Sequence, residues 1–361
     1  MGGGERKVGG SPNGDLVRIL YFKKVRGKQK NINFPRIFTI AYLLIKMTYA
    51  VIGYYLSIFL KKSPHSLIRR RSSALLRIRG FLFCKSSLFE PCTTMSNRLD
   101  TTFQQLKGAQ KAAFVAYVCA GDPHIEASLA IIRSLADSGA DVIELGVPFS
   151  DPQADGIVNQ LAAERALKAG MSVNKLMKLI EDFRTTHDTP LVLFTYLNPV
   201  YAYGYEKFHA DAAAAGADGI LLLDLPPDEI ANNKELSQSE GLKHITLISP
   251  STPPERMQML ASQSEGFIYA LSRMGVTGAQ AAPSESIGEL VNSIKRHTDT
   301  PICIGFGINT PEQAATVAET CDGVVVGSAI VNQVAHNASE PNLAGIIRDF
   351  VTPLIQATKN S

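Results

Sequence analysis

Several patterns that signal metal, disulfide or nucleotide chemistry are missing from this sequence. The five cysteines are odd in number and show no CxxC spacing, which is typical of a reducing compartment without a disulfide framework. The seven histidines form no HExxH, HxH or His/Cys cluster, so a zinc site has no support. No GxGxxG follows the first predicted strand, and no GxxxxGK[ST] loop occurs. We therefore predict neither a bound metal nor a nucleic-acid partner.

Acidic residues are scarce in the first quarter of the chain. Of the 36 lysines and arginines, 18 lie in residues 1–94, where only three of the 33 acids are found. This segment is strongly basic, whereas the remainder carries net negative charge. The change at Met95 indicates two segments with different roles, residues 1–94 and residues 95–361.

The basic segment contains one long apolar run, residues 37–60, interrupted only by Lys46. A run of this length can cross a bilayer as a helix, so a membrane anchor is one interpretation. A second is an organellar targeting segment. The third, which the abrupt change of composition favours, is translation begun upstream of a true start at Met95. We accordingly expect a cytoplasmic protein, or an organellar one if residues 1–94 are a targeting segment, with membrane contact only if residues 37–60 are an anchor.

From Met95 onward, short apolar runs alternate with helix-like stretches. Eight such runs, each strand-like, occur at residues 112–121, 141–149, 190–197, 219–226, 244–250, 267–272, 301–307 and 323–329. Strands that are apolar on both faces and alternate with helices predict a parallel sheet covered by helices. Eight repeats favour a closed (β/α)8 TIM barrel of the α/β class over an open doubly wound sheet.

One predicted strand carries a carboxylate inside its apolar run. The stretch IELGVPFSDPQADG, residues 143–156, places Glu144 in the strand and Asp151 and Asp155 in the loop after it. Side-chain alternation puts Glu144 on the opposite face from Ile143 and Leu145. If those two residues pack on the helices, Glu144 points into the barrel near the end where active sites lie. A purely structural, hydrogen-bonded acid is the alternative interpretation.

Glycine-bearing turns end the last three repeats. They are GVTG (275–278), GFG (305–307) and GSA (327–329). Barrels often bind phosphate in the loops after their last strands, where backbone N–H groups and a helix N-terminus suit a dianion. Each turn taken alone is also compatible with an ordinary strand-to-helix connection.

Taken together, these residues make the segment from Met95 onward resemble the tryptophan synthase alpha chain family. The signature LELGVPFSDP.ADG of that family is matched by residues 143–156, with Gln153 replacing the commoner leucine. Further matches are AGDP (120–123), LSRMGVTGA (271–279), GFGI (305–308) and GSAIV (327–331). Residues 1–94 lie outside the resemblance.

The resemblance implies retro-aldol cleavage of indole-3-glycerol phosphate to indole and glyceraldehyde 3-phosphate, a carbon–carbon lyase reaction. Glu144 would be the acid–base for the indole C3 carbon and the C3′ hydroxyl, and Asp155 would accept from the indole N–H. Substrate-binding residues would be Tyr117, Tyr196, Tyr269 and Thr277. Phosphate-binding residues would be Gly278, Gly307, Gly327 and Ser328. Residues facing a partner would be Asp151, Pro152 and Asn198.

The resemblance also implies a beta-chain partner in an alpha2-beta2 tetramer. The pyridoxal phosphate of the family belongs to that beta chain, so no cofactor is expected here. Two alternatives stay open: another phosphate-binding TIM-barrel lyase or isomerase, and a non-catalytic activator of the beta chain. A Schiff-base aldolase is disfavoured because none of the eight runs carries a lysine at a strand position.

Overall fold

The computed structural model describes residues 97–272, 284–305 and 307–361. Eight parallel strands, each paired with the next and β8 paired with β1, form a closed barrel. The strands are β1 (Ala113–Cys119), β2 (Val142–Gly146), β3 (Leu191–Thr195), β4 (Gly219–Leu222), β5 (Lys243–Ile248), β6 (Ile268–Leu271), β7 (Ile302–Gly305) and β8 (Gly323–Val326). The predicted (β/α)8 barrel is confirmed.

Helices surround the barrel and connect its strands. They are α1 (Arg98–Gly108), α2 (Ile125–Asp137), α3 (Ile157–Lys168), α4 (Val173–Arg184), α5 (Leu197–Tyr203), α6 (Tyr205–Ala215), α7 (Ile230–Ser239), α8 (Pro254–Gln263), α9 (Ser284–Lys295), α10 (Pro311–Ala318), α11 (Ser328–His336) and α12 (Leu343–Lys359). Among the described residues, no helix combines the length and apolarity needed to cross a membrane. The run at residues 37–60 lies outside the described residues.

The strands separate two apolar cores, as alternation of side chains requires. One core lies between the sheet and the helices and includes Ile143, Leu145 and Phe183. The other fills the barrel interior and includes Val142 and Val325. Glu144 lies on the same face of β2 as Val142, so its side chain belongs to the interior, as predicted.

Helix α1, which the sequence analysis did not predict, closes the amino-terminal end of the barrel. Leu99 and Phe103 belong to the interior core, and the Phe103 ring lies 5.7 Å from that of Phe267 at the start of β6. Asn97 ties the helix to the floor by donating from Nδ2 to the carbonyl oxygen of Asp218, at 2.8 Å. With this end covered, the opposite end, where strands finish, is the mouth available to ligands.

A buried carboxylate fastens the same floor. Asp218, just before β4, accepts from Arg98 Nη1 at 2.9 Å, from Arg184 Nη2 at 2.7 Å and from the backbone N–H of Leu191 at 2.8 Å. Both oxygens of this buried group are thus satisfied by charged or backbone donors, the condition under which a buried charge is tolerated. The interaction joins α1, α4 and the start of β3.

Candidate active site

Glu144 lies in the barrel interior without a polar partner. Its side chain is fully buried, and neither carboxyl oxygen has a hydrogen-bond partner within the described part of the chain. Burial raises the pKa of Glu144 from 4.5 to about 8, because desolvation disfavours the charged form. A structural acid would be expected to have its oxygens satisfied, so the orphaned carboxyl favours a functional role over the structural alternative.

Aromatic rings surround this carboxyl. Tyr117 of β1 lies directly across from Glu144 in the strand register. The Phe194 ring of β3 is 5.1 Å from the Tyr117 ring and 6.2 Å from the Tyr269 ring. Burial raises the pKa of Tyr117 and of Tyr269 well above the usual value, with a further contribution from Glu144 in each case. Both phenols are therefore neutral hydrogen-bonding groups beside the acid.

Glycines at strand ends make room for the two tyrosines. A Cβ atom at Gly146 would collide with the Tyr117 hydroxyl, and one at Gly305 would collide with the Tyr269 hydroxyl. Since a real Cβ atom does not tolerate such contacts, only glycine allows each ring to lie across the barrel at this height. The sequence analysis treated Gly305 as part of a phosphate turn, and the structure shows that its missing Cβ also makes room for Tyr269.

Asp155, in the loop between β2 and α3, lies in a different environment. One carboxyl oxygen accepts from the Tyr196 hydroxyl at 2.8 Å and the other from Asn159 Nδ2 at 3.3 Å. Partial burial raises the pKa of Asp155, while these two donors act in the opposite direction. The Tyr196 hydroxyl also accepts from the backbone N–H of Ala154 at 3.0 Å, which fixes the loop over the mouth.

Asp155 and Glu144 are close enough to act on common neighbours. Both carboxyls contribute to the raised pKa of Tyr117 and to that of Tyr269. The structure therefore brings together the two acids that the sequence analysis assigned to catalysis, together with Tyr117, Tyr196 and Tyr269. Tyr196, predicted to bind substrate, holds Asp155 by its hydroxyl.

The residues assigned to the partner face point outward. Asp151 is exposed and accepts from Gln153 Nε2 at 3.1 Å, and Pro152 is partly exposed beside it. Asn198 is exposed in the first turn of α5. None of these three contributes a side chain to the interior around Glu144.

Part of the predicted phosphate pocket lies within the described residues. Gly327 is the N-cap of α11 and Ser328 its first residue, with no side chain capping the helix. The first backbone N–H groups of such a helix have no intrahelical partner and favour an anion. Gly307 has a φ of +82° and open space where a side chain would project. Thr277 and Gly278 lie outside the described residues.

Three side chains of the site were missed by the sequence analysis. Phe194 lies two residues before Tyr196 on β3, so the alternation that placed Glu144 inside the barrel could have identified it. Asn159 follows Asp155 by four residues, one helical turn, but helix α3 had to be located first. The Phe149 ring lies 5.5 Å from the Tyr196 ring, and its position within the signature at residues 143–156 could have identified it. The described residues contain no cluster of three metal-ligating side chains.

The closed barrel with an unpaired acid and a second acid at its carboxyl-terminal mouth defines a (β/α)8-barrel enzyme. Comparison with known proteins identifies the family. The model of the family described as tryptophan synthase alpha chain matches residues 103–350. The chain belongs to the tryptophan synthase alpha chain family, as the sequence resemblance implied, and this membership assigns it to tryptophan biosynthesis.

Individual relatives agree with the family match. The tryptophan synthase alpha chain of Opitutus terrae is 44% identical over 260 residues, which are 71% of this chain and 98% of that relative. The structure of tryptophan synthase subunit alpha from Legionella pneumophila strain Paris is 37% identical, with a TM-score of 0.68, and covers 73% of this chain and 99% of its own. A Mycobacterium tuberculosis tryptophan synthase structure is 36% identical, with a TM-score of 0.67. The match covers 73% of this chain and 98% of that chain.

The raised pKa of Glu144 predicts a specific dependence of stability on pH. The folded state holds its proton up to about pH 8, whereas the unfolded carboxyl, with a pKa near 4.5, releases it earlier. Between these values the folded state binds more protons, so this group makes the free energy of unfolding fall as pH rises. The free energy of unfolding of Glu144→Gln, minus that of wild type, should therefore rise by a few kcal/mol as the pH is raised from 5 to 8.

Urea unfolding curves collected at several pH values measure this difference. The control Glu206→Gln removes an exposed carboxylate from α6, and its free energy of unfolding should follow that of wild type throughout. A constant difference between Glu144→Gln and wild type across the range would contradict the assignment.

Proposed function

We propose that this chain is the alpha subunit that cleaves indole-3-glycerol phosphate to indole and glyceraldehyde 3-phosphate, a carbon–carbon lyase. The observation that carries the proposal is the pair of acids at the barrel mouth, one buried without partners and one held by two donors. Family membership supplies the substrate. The chemistry of the two carboxyls supports a division of labour between them.

Glu144 is suited to deliver a proton to carbon. With a pKa of about 8 it is mostly protonated at neutral pH, and a group titrating near the working pH serves as both acid and base. In the proposed reaction it protonates C3 of the indole ring, and the resulting carboxylate then takes the proton of the C3′ hydroxyl. The C–C bond breaks, its electron pair remains on the ring, and the glycerol carbon becomes an aldehyde. Glu144 ends protonated, as it began.

Asp155 is suited to stabilise the positive charge that forms on the protonated ring. Its carboxylate accepts from Tyr196 and Asn159, and such donors favour the ionised form. A fixed carboxylate near the ring N–H stabilises the intermediate electrostatically. Two acids held in different environments thus take different roles, a recurring device in acid–base catalysis.

The remaining site residues serve binding. Tyr117 and Tyr269 flank the acid as neutral aromatic walls for the indole ring, and Thr277 belongs to the loop proposed to close over substrate. Gly278, Gly307, Gly327 and Ser328 are assigned to the phosphate group. The reaction consists of proton transfers and bond cleavage, so no cofactor is assigned to this chain. Pyridoxal phosphate belongs to the beta chain.

We assign the beta-chain contact to the surface around Asp151, Pro152 and Asn198, in an alpha2-beta2 tetramer. Large apolar side chains are exposed on the two helices that begin there. On α3, Ile157 is 62% and Leu161 is 47% exposed, and on α5 Tyr201 is 59% exposed. Ile157 and Leu161 are four residues apart on α3, and Asn198 and Tyr201 are three apart on α5. Each pair therefore lies on one face of its helix. An apolar patch rimmed by polar residues is typical of a protein contact.

The working domain is proposed to be residues 95–361, in the cytoplasm. The family match begins at residue 103, and the Opitutus terrae relative is covered almost completely by 71% of this chain. Residues 1–94 are not needed for the proposed chemistry, because every assigned site residue follows them.

Substitution of either acid tests the catalytic proposal. Glu144→Gln and Asp155→Asn should each lower the rate of indole release from indole-3-glycerol phosphate by about 10²–10⁴-fold, the usual contribution of acid–base or electrostatic groups. Indole is measured directly in a single-turnover assay with purified protein. Asp188→Asn, which neutralises an exposed carboxylate at the opposite end of the barrel, is the matched control and should retain wild-type turnover. Near-normal turnover in either acid variant would contradict the site, and cleavage of a different sugar phosphate would favour the alternative barrel enzyme.

The partner surface is tested separately. The double variant Ile157→Ser, Leu161→Ser should bind the beta chain at least about tenfold more weakly, because it removes two large apolar contacts. Leu167→Ser lies on the same helix and is the control, with an exposed fraction of 36%. Calorimetric titration of each variant with beta chain gives the affinity. Equal affinity of the double variant and the control would place the contact elsewhere.

A chain beginning at Met95 tests the domain boundary. We expect it to be obtained in soluble form and to cleave indole-3-glycerol phosphate at the rate of the full chain. Circular dichroism and the indole assay, applied to both proteins, provide the comparison. Loss of activity in the shorter chain, with activity of the full chain confined to a membrane fraction, would assign residues 1–94 a function.

A further inference from the structure

A buried ion pair lies at the mouth end of the barrel, between the loop after β1 and helix α3. Asp122, in that loop, is 3% exposed, and its two carboxyl oxygens accept from Arg165 Nε and Nη2, each at 2.8 Å. Arg165 belongs to the second half of α3. Two parallel N–H···O bonds from a planar guanidinium fix orientation as well as distance. The pair therefore joins the loop and the helix in one defined geometry.

The loop that carries Asp122 is itself held to the strand end. The backbone N–H of Ala120 donates to the carbonyl oxygen of Gly146 at 2.9 Å, which continues the pairing of β1 with β2 beyond β1. The N–H of Gly121 donates to Ser128 Oγ of α2 at 2.9 Å. The carboxylate of Asp122 is thus presented to α3 from a fixed support.

The apolar contacts of α3 hold that helix weakly. Its buried side chains are those of Ala162, Ala163 and Ala166, each a single methyl group. The larger side chains of Ile157 and Leu161 are exposed, on the surface assigned to the partner. Hydrophobic stabilisation scales with the apolar area buried, and a row of methyl groups does little to prevent a helix from sliding or turning. A helix that offers large apolar groups to a partner therefore needs another anchor to the barrel.

The first half of α3 holds Asp155. Asn159 Nδ2 donates to a carboxyl oxygen of Asp155 at 3.3 Å, and Gln160 Nε2 donates to its backbone carbonyl oxygen at 2.8 Å. The N-cap of the helix is Gly156, which has no side chain to cap it. Arg165 lies beyond Asn159 by about 9 Å along the helix axis. A shift or rotation of α3 at its anchor would consequently move the groups that hold Asp155.

The buried thiol of Cys119, the last residue of β1, lies within the electrostatic reach of both ends of this arrangement. Burial raises the pKa of Cys119, Asp122 and Asp155 raise it further, and Arg165 opposes them. Burial also raises the pKa of Asp122, while the hydrogen bonds and charge of Arg165 oppose this. Removing one member of a buried ion pair is strongly destabilising to the local structure, because the other is left uncompensated.

We propose that the ion pair of Asp122 and Arg165 positions Asp155. The pair fixes α3 along and about its axis, and the helix in turn holds the acid through Asn159 and Gln160. Asp122 and Arg165 do not touch substrate and act only through this helix. The inference rests on the proposed function, since Asp155 is the group assigned there to the indole N–H.

Substitution of Arg165 tests the positioning role in the full chain. Arg165→Gln should lower the single-turnover rate of indole release from indole-3-glycerol phosphate by about 10- to 100-fold, the cost expected when a catalytic group is displaced by up to about 1 Å. Arg165→Lys keeps the charge but not the two parallel bonds, and its rate should fall between those of Arg165→Gln and wild type. Circular dichroism establishes that each variant is folded, and Arg165→Lys alone decides the test if Arg165→Gln does not fold.

The floor of the barrel offers a matched control. Arg98→Gln also removes an arginine from a buried carboxylate, that of Asp218, at the end remote from the site. It should lower the unfolding temperature and leave the rate of indole release at the wild-type value. An equal loss of rate in Arg98→Gln and Arg165→Gln would show a general effect of ion-pair loss and would overturn the proposal.

A double-mutant cycle separates positioning of Asp155 from other effects on the site. In the Asp155→Asn background, Arg165→Gln should change the rate by less than about twofold, because residues that act through one group are not additive. Burial raises the pKa of Asp155 and the Asn159 donor opposes this. Arg165→Gln, which displaces that donor, should therefore move the acid limb of the pH–rate profile to higher pH.

Three outcomes would contradict the positioning role while leaving the proposed function intact. They are a wild-type rate in a folded Arg165 variant, the same loss of rate in both backgrounds, and an unshifted acid limb. Near-normal turnover of Asp155→Asn itself would contradict the proposed function, and this inference with it. The cycle thus distinguishes failure of the ion-pair role from failure of the catalytic assignment.

Discussion

Closure of the sheet is the constraint on which the other features depend. Pairing of β8 with β1, with Val115 opposite Val325, leaves no strand edge and brings eight carboxyl-terminal strand ends to one mouth. An interior of this size must be filled by side chains rather than water. Helix α1 covers the floor, so the uncovered end is the mouth, where Glu144, Tyr117 and Tyr269 lie. Glycines at Gly146 and Gly305 let the two rings fill the remaining space.

The same packing differentiates the two acids. Glu144 is surrounded by Tyr117, Phe194 and Tyr269, and none of them offers it a hydrogen bond. Its carboxyl is consequently kept protonated by desolvation. Asp155 lies on a loop at the rim, where Tyr196 and Asn159 donate to it. The site therefore contains one carboxyl group that accepts hydrogen bonds, that of Asp155, and one that has none, that of Glu144. The two differ in state although they are the same functional group.

Comparison of prediction and structure shows which features were local. Eight apolar runs and helices such as α2, α4 and α10 were recognisable because their periodicity and start signals lie within a few residues. Helix α1 was missed although Asn97 caps its start, and its role in covering Phe267 depends on residues far along the chain. The buried hydrogen-bonded group of His209, Asn233 and His244 had no signal at all, because its members come together from α6, α7 and β5.

The sequence by itself determined the barrel class and the family, and it predicted the two acids of the site, because strand alternation and a fourteen-residue motif are encoded contiguously. Only the tertiary structure decided the state of those acids. Whether a carboxyl is orphaned or hydrogen-bonded depends on neighbours contributed by other strands and helices, such as Phe194 and Asn159. Desolvation is a property of the assembled interior, and no single segment of the chain contains it.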